Sequence, residues 1–346
     1  MPSIYNYTKE ELRALLDGEP RYRVEQLWHG LWREDQLPGD ITTIPRALRT
    51  RLTEQFPSSL RVINEVHSDR GSTSKWVFAL HDGATIETVL MNYDDRVTVC
   101  VSSQAGCAMG CTFCATGQAG FTRQLSVGEV VEQVLFAARA GAPRCLSNVV
   151  FMGMGEPLAN YDVTVEVVRR LHEHRGMSAR HLTVSTVGVA PAIERLANEG
   201  LPLTLAVSLH AANDETRSAL VPLNRRYPLS RLYEACEHWI NTTSRRLSFE
   251  WALIDAVNDT DRAITELADY ALPLRAHVNL IPLNPTPGYL VRGSSSQRVH
   301  EFRRGLEDLG VNVTVRNTRG RSIDAACGQL ANVTNARRRS LRVTSG

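Results

Sequence analysis

The fold of this 346-residue chain is decided by one stretch, Gln104-Ala105-Gly106-Cys107-Ala108-Met109-Gly110-Cys111-Thr112-Phe113-Cys114. Its three cysteines follow a predicted strand and lie in a short loop that contains glycine. Three such thiolates can bind three irons of a cubane iron–sulfur cluster and leave the fourth iron open to another ligand. A structural zinc site and three unrelated buried cysteines are the alternatives, although zinc would want a fourth cysteine or histidine nearby.

Strand-like and helix-like segments alternate outward from this loop. The β-rich runs cover residues 96–103, 148–152, 181–187, 203–210, 247–254 and 276–283. The helical patterns between and after them cover residues 127–140, 162–174, 191–198, 229–240, 262–270 and 297–309. This alternation predicts an α/β fold, a partial (β/α)6 barrel that is open on one side, with functional groups at the carboxyl ends of its strands.

The region before the barrel has a different pattern. Apolar residues recur at helical spacing from residue 8 to about residue 56, which predicts a small helical domain. Residues 76–80, 81–84 and 85–90 read as strand, turn and strand, a β-hairpin leading into the barrel. We therefore predict a helical domain at 1–60, a linker with a hairpin at 61–92, the barrel at 93–316 and a C-terminal extension at 317–346.

Composition excludes several classes of protein. With 43% hydrophobic and 22% charged residues the chain is neither disordered nor fibrous. Its 39 basic and 37 acidic side chains nearly cancel, so any RNA binding must come from a local basic face. Seven cysteines are too few for a disulfide scaffold, and neither a signal peptide nor a membrane span is evident. We expect a soluble cytoplasmic protein.

Further motifs place glycine and polar residues just after predicted strands. Phe151-Met152-Gly153-Met154-Gly155-Glu156-Pro157 follows the second strand, where glycines let the backbone approach a ligand and Glu156 could bind an amine. Ser185, Ser208 and Asn284 end or follow later strands. Taken alone, each is better explained as a hydrogen-bonding or capping residue. Their shared place at the mouth of a barrel predicts one common site.

Together these motifs resemble the RlmN/Cfr family of radical S-adenosylmethionine (SAM) 23S ribosomal RNA adenine methyltransferases. The resemblance covers nearly the whole chain. It is carried by Cys100-Val101-Ser102-Ser103-Gln104, the C-x3-C-x2-C triplet, Ala115-Thr116-Gly117, the Gly153–Pro157 run, Ser208-Leu209-His210, Asn284-Pro285 and Ala325-Ala326-Cys327-Gly328-Gln329-Leu330. The chain is more similar to the branch that methylates adenine C2 than to the branch that methylates C8, which remains the alternative.

The resemblance implies two cofactors, a [4Fe-4S] cluster held by Cys107, Cys111 and Cys114, and SAM. The SAM contacts that it implies are Gly155, Glu156, Ser185, Ser208, Leu209, His210 and Asn284. It also implies that Cys327 carries the methyl group, that Cys100 forms a transient disulfide with Cys327, and that Glu87 transfers a proton. On the residues alone, Cys100 would be a small buried hydrophobe and Cys327, beside a glycine, a reactive loop residue.

The implied substrates are 23S rRNA and tRNA, methylated through S-methylcysteine with two SAM per turnover. Adenine C2 is electrophilic, so it cannot attack the SAM methyl group directly. Residues 1–60 would bind RNA, a flavodoxin-type or other reductant would supply electrons, and the enzyme would act as a monomer without a membrane. The alternative of another class, a non-catalytic iron–sulfur electron carrier, would want four protein ligands for its cluster.

Overall fold

The computed structural model describes residues 3–283, 291–316 and 330. Its strands are β1 (Arg61–Ser68), β2 (Thr73–Ala79), β3 (Thr85–Asn92), β4 (Val97–Cys100), β5 (Gln104–Gly106), β6 (Phe121–Gln124), β7 (Asn148–Phe151), β8 (Leu182–Thr186), β9 (Thr204–Ser208), β10 (Ser248–Leu253), β11 (His277–Pro282) and β12 (Val313–Val315). Its helices are α1 (Lys9–Leu15), α2 (Arg21–Arg33), α3 (Arg46–Gln55), α4 (Ala115–Ala119), α5 (Val127–Ala140), α6 (Tyr161–Glu173), α7 (Ala190–Ala197), α8 (Asp214–Leu220), α9 (Leu229–Thr243), α10 (Asp261–Ala271) and α11 (Ser296–Asp308).

Ten strands form one sheet in the order β1-β2-β3-β4-β7-β8-β9-β10-β11-β12, and β5 pairs with β6 in a separate ribbon. The pairings from β4 to β12 are all parallel, whereas β1 to β4 pair antiparallel. Each parallel crossover steps to the next strand in one direction, and right-handed crossovers of this kind put the helices on one face. The result is the predicted partial barrel, with the carboxyl ends of its strands at one mouth.

The predicted barrel elements are confirmed, and the structure adds six elements that the sequence pattern did not reveal. All six predicted strands and all six predicted helices are present, each within a few residues of its expected limits. Of the additional strands, β12 and β5 have three residues each, and β6 pairs with β5. The strand β1 has mostly exposed side chains and is held by pairing with β2. The additional helices, α4 and α8, are too short to show helical periodicity.

Local signals explain where the helices begin. The helix α5 begins after Ser126, whose side chain accepts a hydrogen bond from the Glu129 backbone while Glu129 bonds back to the Ser126 backbone. Thr8 and Glu11 form the same capping box at α1. Such reciprocal bonds satisfy two backbone N–H groups that a helix start otherwise leaves without partners.

The N-terminal helices share one hydrophobic core with the barrel. Trp28 and Trp32 of α2 pack edge-on against His174, which follows α6. Arg170 of α6, itself buried, donates hydrogen bonds to the backbone oxygens of Tyr5 and Tyr7. Among the described residues, none of the helices combines the length and the apolar character that crossing a bilayer requires.

Candidate active site

A cavity opens at the carboxyl ends of the parallel strands and brings together residues from five of them. It is lined by Cys111, Phe113, Cys114, Phe151, Met152, Gly153, Gly155, Glu156, Pro157, Ser185, Val187, Ser208, His210, Glu250, Ala252, Ile281, Leu283 and Arg316. Two predicted cluster ligands and five predicted SAM contacts therefore face one space. Parallel strands end at a common mouth, so side chains far apart in the chain converge there.

The loop that carries the three cysteines is supported on both sides. It leaves β5, returns through α4 to β6, and the Cys107 backbone donates a hydrogen bond to the Gly120 oxygen at 2.9 Å. On its other side, the Thr112 backbone donates to the Leu220 oxygen at the end of α8, at 3.0 Å. The loop is thus held between the β5–β6 ribbon and the barrel wall.

The cysteine thiols are close enough to influence one another. Burial raises the pKa of Cys107 to about 12, and the charge of Cys114 adds to that rise. Burial likewise raises the pKa of Cys111, with Cys114 and Cys107 as further causes. Thiols in this state stay protonated unless a cation takes the place of the proton, which is what the irons of a cluster do.

Three cysteines in one loop supply the ligands that a cubane cluster with one open iron needs. A cubane cluster puts each thiolate on a different iron, so its ligands need not converge on one point. In the part of the chain that the structure describes, no group of three His, Cys, Asp or Glu side chains lies close enough to hold a single metal ion. The three cysteines would hold a [4Fe-4S] cluster beside the cavity that Cys111 and Cys114 line.

The segment Gly153–Pro157 packs directly on the chain that enters the cysteine loop. A Cβ on Gly153 would lie 2.6 Å from the Val101 oxygen, and one on Gly155, whose φ is +103°, would lie 2.6 Å from the Gln104 Cβ. Only glycine permits this approach. The Gln104 side chain accepts a hydrogen bond from the Glu156 backbone at 2.8 Å, which joins the two segments.

Glu156 is a buried carboxyl at the cavity wall. Its oxygens accept backbone hydrogen bonds from Leu158 at 3.0 Å and from Val187 at 2.8 Å. Burial nevertheless raises its pKa to about 7, because these bonds offset only part of the loss of water. The group can therefore carry a charge near neutral pH and pair with an ammonium group in the cavity.

His210 follows β9 in a left-handed backbone conformation, with φ +60°. Its Nδ1 accepts the Ala252 backbone N–H at 3.0 Å, so the proton of the neutral ring lies on Nε2. Burial lowers its pKa to about 3, and the ring packs edge-on against Phe113 at 4.6 Å. The aromatic residue that precedes Cys114 thus locks a neutral histidine beside the cysteine loop.

Cys100 and Glu87 lie on a separate part of the barrel interior. Cys100 ends β4 and belongs to a buried cluster with Val89, Met91, Met154 and Leu330. Leu330 is three residues after Cys327 in the sequence, and its backbone oxygen accepts a hydrogen bond from Thr116 of α4. Leu330 therefore lies in the interior beside Cys100.

Glu87 faces a buried lysine that the sequence analysis did not single out. The Lys75 Nζ lies 3.3 Å from Glu87 Oε2 across the β2–β3 hairpin, and the side chains are 7% and 0% exposed. The Ser102 hydroxyl also donates to the Glu87 backbone oxygen at 2.6 Å. The buried carboxyl of Glu87 thus faces the amino group of Lys75 and not solvent.

Other cavity residues also went unpredicted. Glu250 is buried in the middle of β10, accepts from Asn279 Nδ2 at 2.8 Å, and contributes a second carboxylate to the cavity. The sequence signal that could have identified Glu250 is a charged residue inside an otherwise apolar buried strand. Arg316, at the end of β12, also lines the cavity. Of the predicted residues, Leu209 is buried behind the wall, and Asn284 and Cys327 lie outside the described residues.

Comparison with known proteins decides the family. The radical SAM superfamily model matches residues 101–271. A probable dual-specificity RNA methyltransferase RlmN from Salinispora tropica is 51% identical over 91% of this chain and 88% of its own length. One from Chloroflexus aurantiacus is 49% identical over 95% of this chain and 92% of its own length. The chain belongs to the RlmN family of radical SAM methyltransferases.

A solved structure agrees with this assignment to the RlmN family. The crystal structure of a radical SAM methyltransferase from Sphaerobacter thermophilus has a TM-score of 0.92 and 49% identity, covering 95% of this chain and 99% of that one. The predicted fold and the predicted class of enzyme are confirmed, as are the two predicted cofactors, a [4Fe-4S] cluster and SAM.

Proposed function

We propose that this chain methylates C2 of a specific adenosine in 23S rRNA and of an adenosine in tRNA. The support is sequence identity. Two proteins named probable dual-specificity RNA methyltransferase RlmN are 51% and 49% identical to this chain, over 91% and 95% of its length. The single structural observation behind the proposal is the cavity where Cys111, Cys114 and Glu156 meet. We further propose that the enzyme acts in the cytoplasm as a monomer and receives electrons from a flavodoxin-type reductant.

Each residue of the site has a proposed part. Cys107, Cys111 and Cys114 hold the [4Fe-4S] cluster, which with SAM supplies the radical chemistry. The SAM contacts are Gly155, Glu156, Ser185, Ser208, Leu209, His210 and Asn284. Glu156 binds the amino group of SAM, since it is the buried carboxyl at the cavity wall.

The methyl-transfer residues form a second proposed set. Cys327 accepts a methyl group from one SAM to become S-methylcysteine, and a second SAM is consumed in activating that methyl group for addition to adenine C2. Glu87 accepts the C2 proton, which its ion pair with Lys75 supports. Cys100 then attacks the sulfur of Cys327, releasing the methylated base and forming a disulfide that an external reductant reopens. The burial of Cys100 in one cluster with Leu330 supports this pairing.

RNA binding is proposed for residues 1–60. Exposed arginines of the N-terminal helices carry this proposal, among them Arg21, Arg33, Arg46 and Arg51. Arg21→Glu with Arg46→Glu should weaken RNA binding and reduce its dependence on salt, because fewer phosphates are neutralised. Arg303→Glu, on α11, is the matched control and should leave binding unchanged.

The decisive experiment is anaerobic incubation of the cluster-loaded protein with SAM, a reductant and unmodified rRNA fragments or tRNA, followed by mass spectrometry of nucleosides. We expect 2-methyladenosine from the wild type and none from Cys327→Ala. Cys145→Ala is the matched control, because Cys145 is exposed and lies outside the site. It should keep wild-type activity.

Other outcomes would reassign the reaction. Formation of 8-methyladenosine would show C8 methylation instead. SAM cleavage without a methylated nucleoside would keep the radical SAM core and reject the RNA substrate. A loaded cluster that neither binds nor cleaves SAM would indicate the electron carrier.

A further inference from the structure

Arg217 of α8 is a fully buried arginine beneath the cavity wall, with 0% of its surface exposed. Its Nε donates to the Leu209 oxygen at 3.1 Å, and its Nη2 donates to the Val187 oxygen at 2.7 Å and, at 3.4 Å, to the Ser208 oxygen. Val187 and Ser208 line the cavity. The guanidinium therefore lies directly behind the ends of β8 and β9.

The partners of this cation are all neutral. Besides the three peptide oxygens, Nη1 donates to the Asn224 side-chain oxygen at 2.8 Å. Within the described ranges, no carboxylate lies within ion-pair distance of Arg217; the nearest connection is through Asn224, which donates to Asp214 Oδ1 at 2.8 Å. By contrast Arg170, which is also buried, has an ion pair with Glu166.

A buried cation without a counter-charge is costly unless an anion arrives. Burial lowers the pKa of Arg217, but a guanidinium keeps its proton in proteins. The peptide dipoles satisfy its N–H groups without neutralising its charge. This side chain is therefore a fixed positive charge in the protein interior.

The anion expected nearby is the iron–sulfur cluster. The helix α8 ends against the cysteine loop, where Thr112 donates to the oxygens of Leu220 at 3.0 Å and Ala219 at 3.4 Å. Arg217 also donates to the oxygens of Val187 and Ser208, which line the same cavity as Cys111 and Cys114. A cubane cluster with three thiolate ligands is anionic, and its one-electron reduction adds a further negative charge.

We propose that Arg217 stabilises the reduced cluster through its buried charge and so raises the potential at which a one-electron reductant can reduce it. The proposal rests on the assignment of the three cysteines as cluster ligands and does not depend on the RNA substrate. A positive charge in a region of low dielectric interacts strongly with an added electron, and net charge is one of the factors that set cluster potentials. The reductant loses one electron and the cluster gains it.

The test measures the midpoint potential of the cluster by anaerobic redox titration with electron paramagnetic resonance, without RNA. Iron analysis first establishes the cluster content of each variant. Arg217→Gln should lower the ratio of reduced to oxidised cluster about tenfold at a given potential, which is about 59 mV for one electron. The variants are compared at about pH 6, where a buried lysine keeps its proton, and there Arg217→Lys should stay near the wild-type midpoint.

Arg170→Gln is the matched control, because it removes a buried arginine that also binds peptide oxygens but packs against Tyr5 and Tyr7. It should lower stability and leave the potential unchanged. A loaded Arg217→Gln protein with the wild-type midpoint would overturn the proposal. So would equal shifts in Arg217→Gln and Arg217→Lys, since these would reflect lost hydrogen bonding and not lost charge. Low iron content in all proteins would instead reject the ligand assignment.

If Arg217→Gln does not fold, the pH dependence of the midpoint potential of Arg217→Lys tests the proposal. A buried lysine loses its proton readily, so its midpoint should match the wild type near about pH 6 and fall toward about pH 9. The titratable groups around this position are Tyr270, Cys111, Asp214 and Cys236, all of which the wild type shares. A lysine variant that loses its proton in this range without a fall in its midpoint would overturn the proposal.

Discussion

If Glu156 binds the amino group of SAM as proposed, SAM binding should depend on the protonation of this carboxyl. Its pKa is raised to about 7 by burial, so below that pH the carboxyl is protonated and cannot pair with the amino group of SAM. SAM affinity should therefore rise with pH, by at most about tenfold per unit, and level off above about pH 7. It should fall again near about pH 8 as the amine of SAM loses its own proton.

Equilibrium binding of SAM to the cluster-loaded protein between about pH 5.5 and about pH 8.5 would measure this effect. In Glu156→Gln the SAM affinity should no longer rise with pH below about pH 7, but it should still fall near about pH 8. His210 cannot cause the rise, because its pKa is lowered to about 3 and the ring stays neutral. A rising limb that persists in Glu156→Gln would assign the titration to another group.

The ion pair of Lys75 with Glu87 should contribute to stability as well as to the proposed proton transfer. Both side chains are buried, so Lys75→Met takes away the ammonium that Glu87 faces and should lower the free energy of unfolding by about 3–5 kcal/mol. The double variant Lys75→Met with Glu87→Gln should recover much of this loss. Urea unfolding measures both.

A lysine in an exposed pair gives the control for this comparison. Lys9 lies 2.6 Å from Glu25, with side chains 36% and 59% exposed, and Lys9→Met should cost no more than about 1 kcal/mol. If Lys75→Met and Lys9→Met lower the free energy of unfolding equally, the buried pair contributes no more to stability than the exposed pair. Methylation assays should separate them further, since only Lys75→Met perturbs the proposed proton acceptor.

The loop after β7 depends on glycine for its contact with the segment that follows β4. Gly153→Ala would put a Cβ 2.6 Å from the Val101 backbone oxygen. The atoms that it meets belong to the backbone of Val101 and Ser102, which cannot move aside as a flexible side chain can. We expect about 1–3 kcal/mol of destabilisation and much weaker SAM binding, because the loop carries Glu156. Gly39→Ala is the control, since its Cβ meets only the Thr53 hydroxyl, at 3.1 Å, which can rotate away.

Thermal unfolding and SAM titration of the two glycine variants would test this dependence. A Gly153→Ala protein that binds SAM like the wild type would show that the loop can move without loss of the site. Loss of binding in Gly39→Ala would indicate a general effect of the substitution.

The shared core predicts that the N-terminal helices and the barrel unfold together. Trp32 is 1% exposed and contacts both Tyr5 and His174, so Trp32→Ala should destabilise the whole molecule by about 3–5 kcal/mol. Tyr22→Ala, on the same helix but 54% exposed, should change stability little. Calorimetry of the protein should show one transition that shifts as a unit in Trp32→Ala. Two separate transitions, with only one shifted, would establish independent domains.

This arrangement also affects how RNA binding should be tested. Deleting residues 1–60 would remove part of the common core, including Leu31 and Trp32, and so disturb the barrel. Charge reversal at exposed arginines leaves that core intact and is the better experiment.

Much of the fold could be predicted because its signals are local. The helix α5 was expected at residues 127–140 and spans Val127–Ala140, since its apolar periodicity and capping residues lie within the helix itself. The short strand β12 could not be predicted, because three residues have no resolvable period and its pairing depends on β11, more than 30 residues away.

The sequence by itself determined the alternating strands and helices, the cysteine loop and its family, because each depends on residue spacing within a short segment. Only the tertiary structure decided which side chains come together. It places Glu250 in the cavity, Lys75 opposite Glu87, and Arg217 behind the cavity wall. The physical reason is that burial, charge pairing and pKa arise from groups that different strands bring together. No local pattern records them.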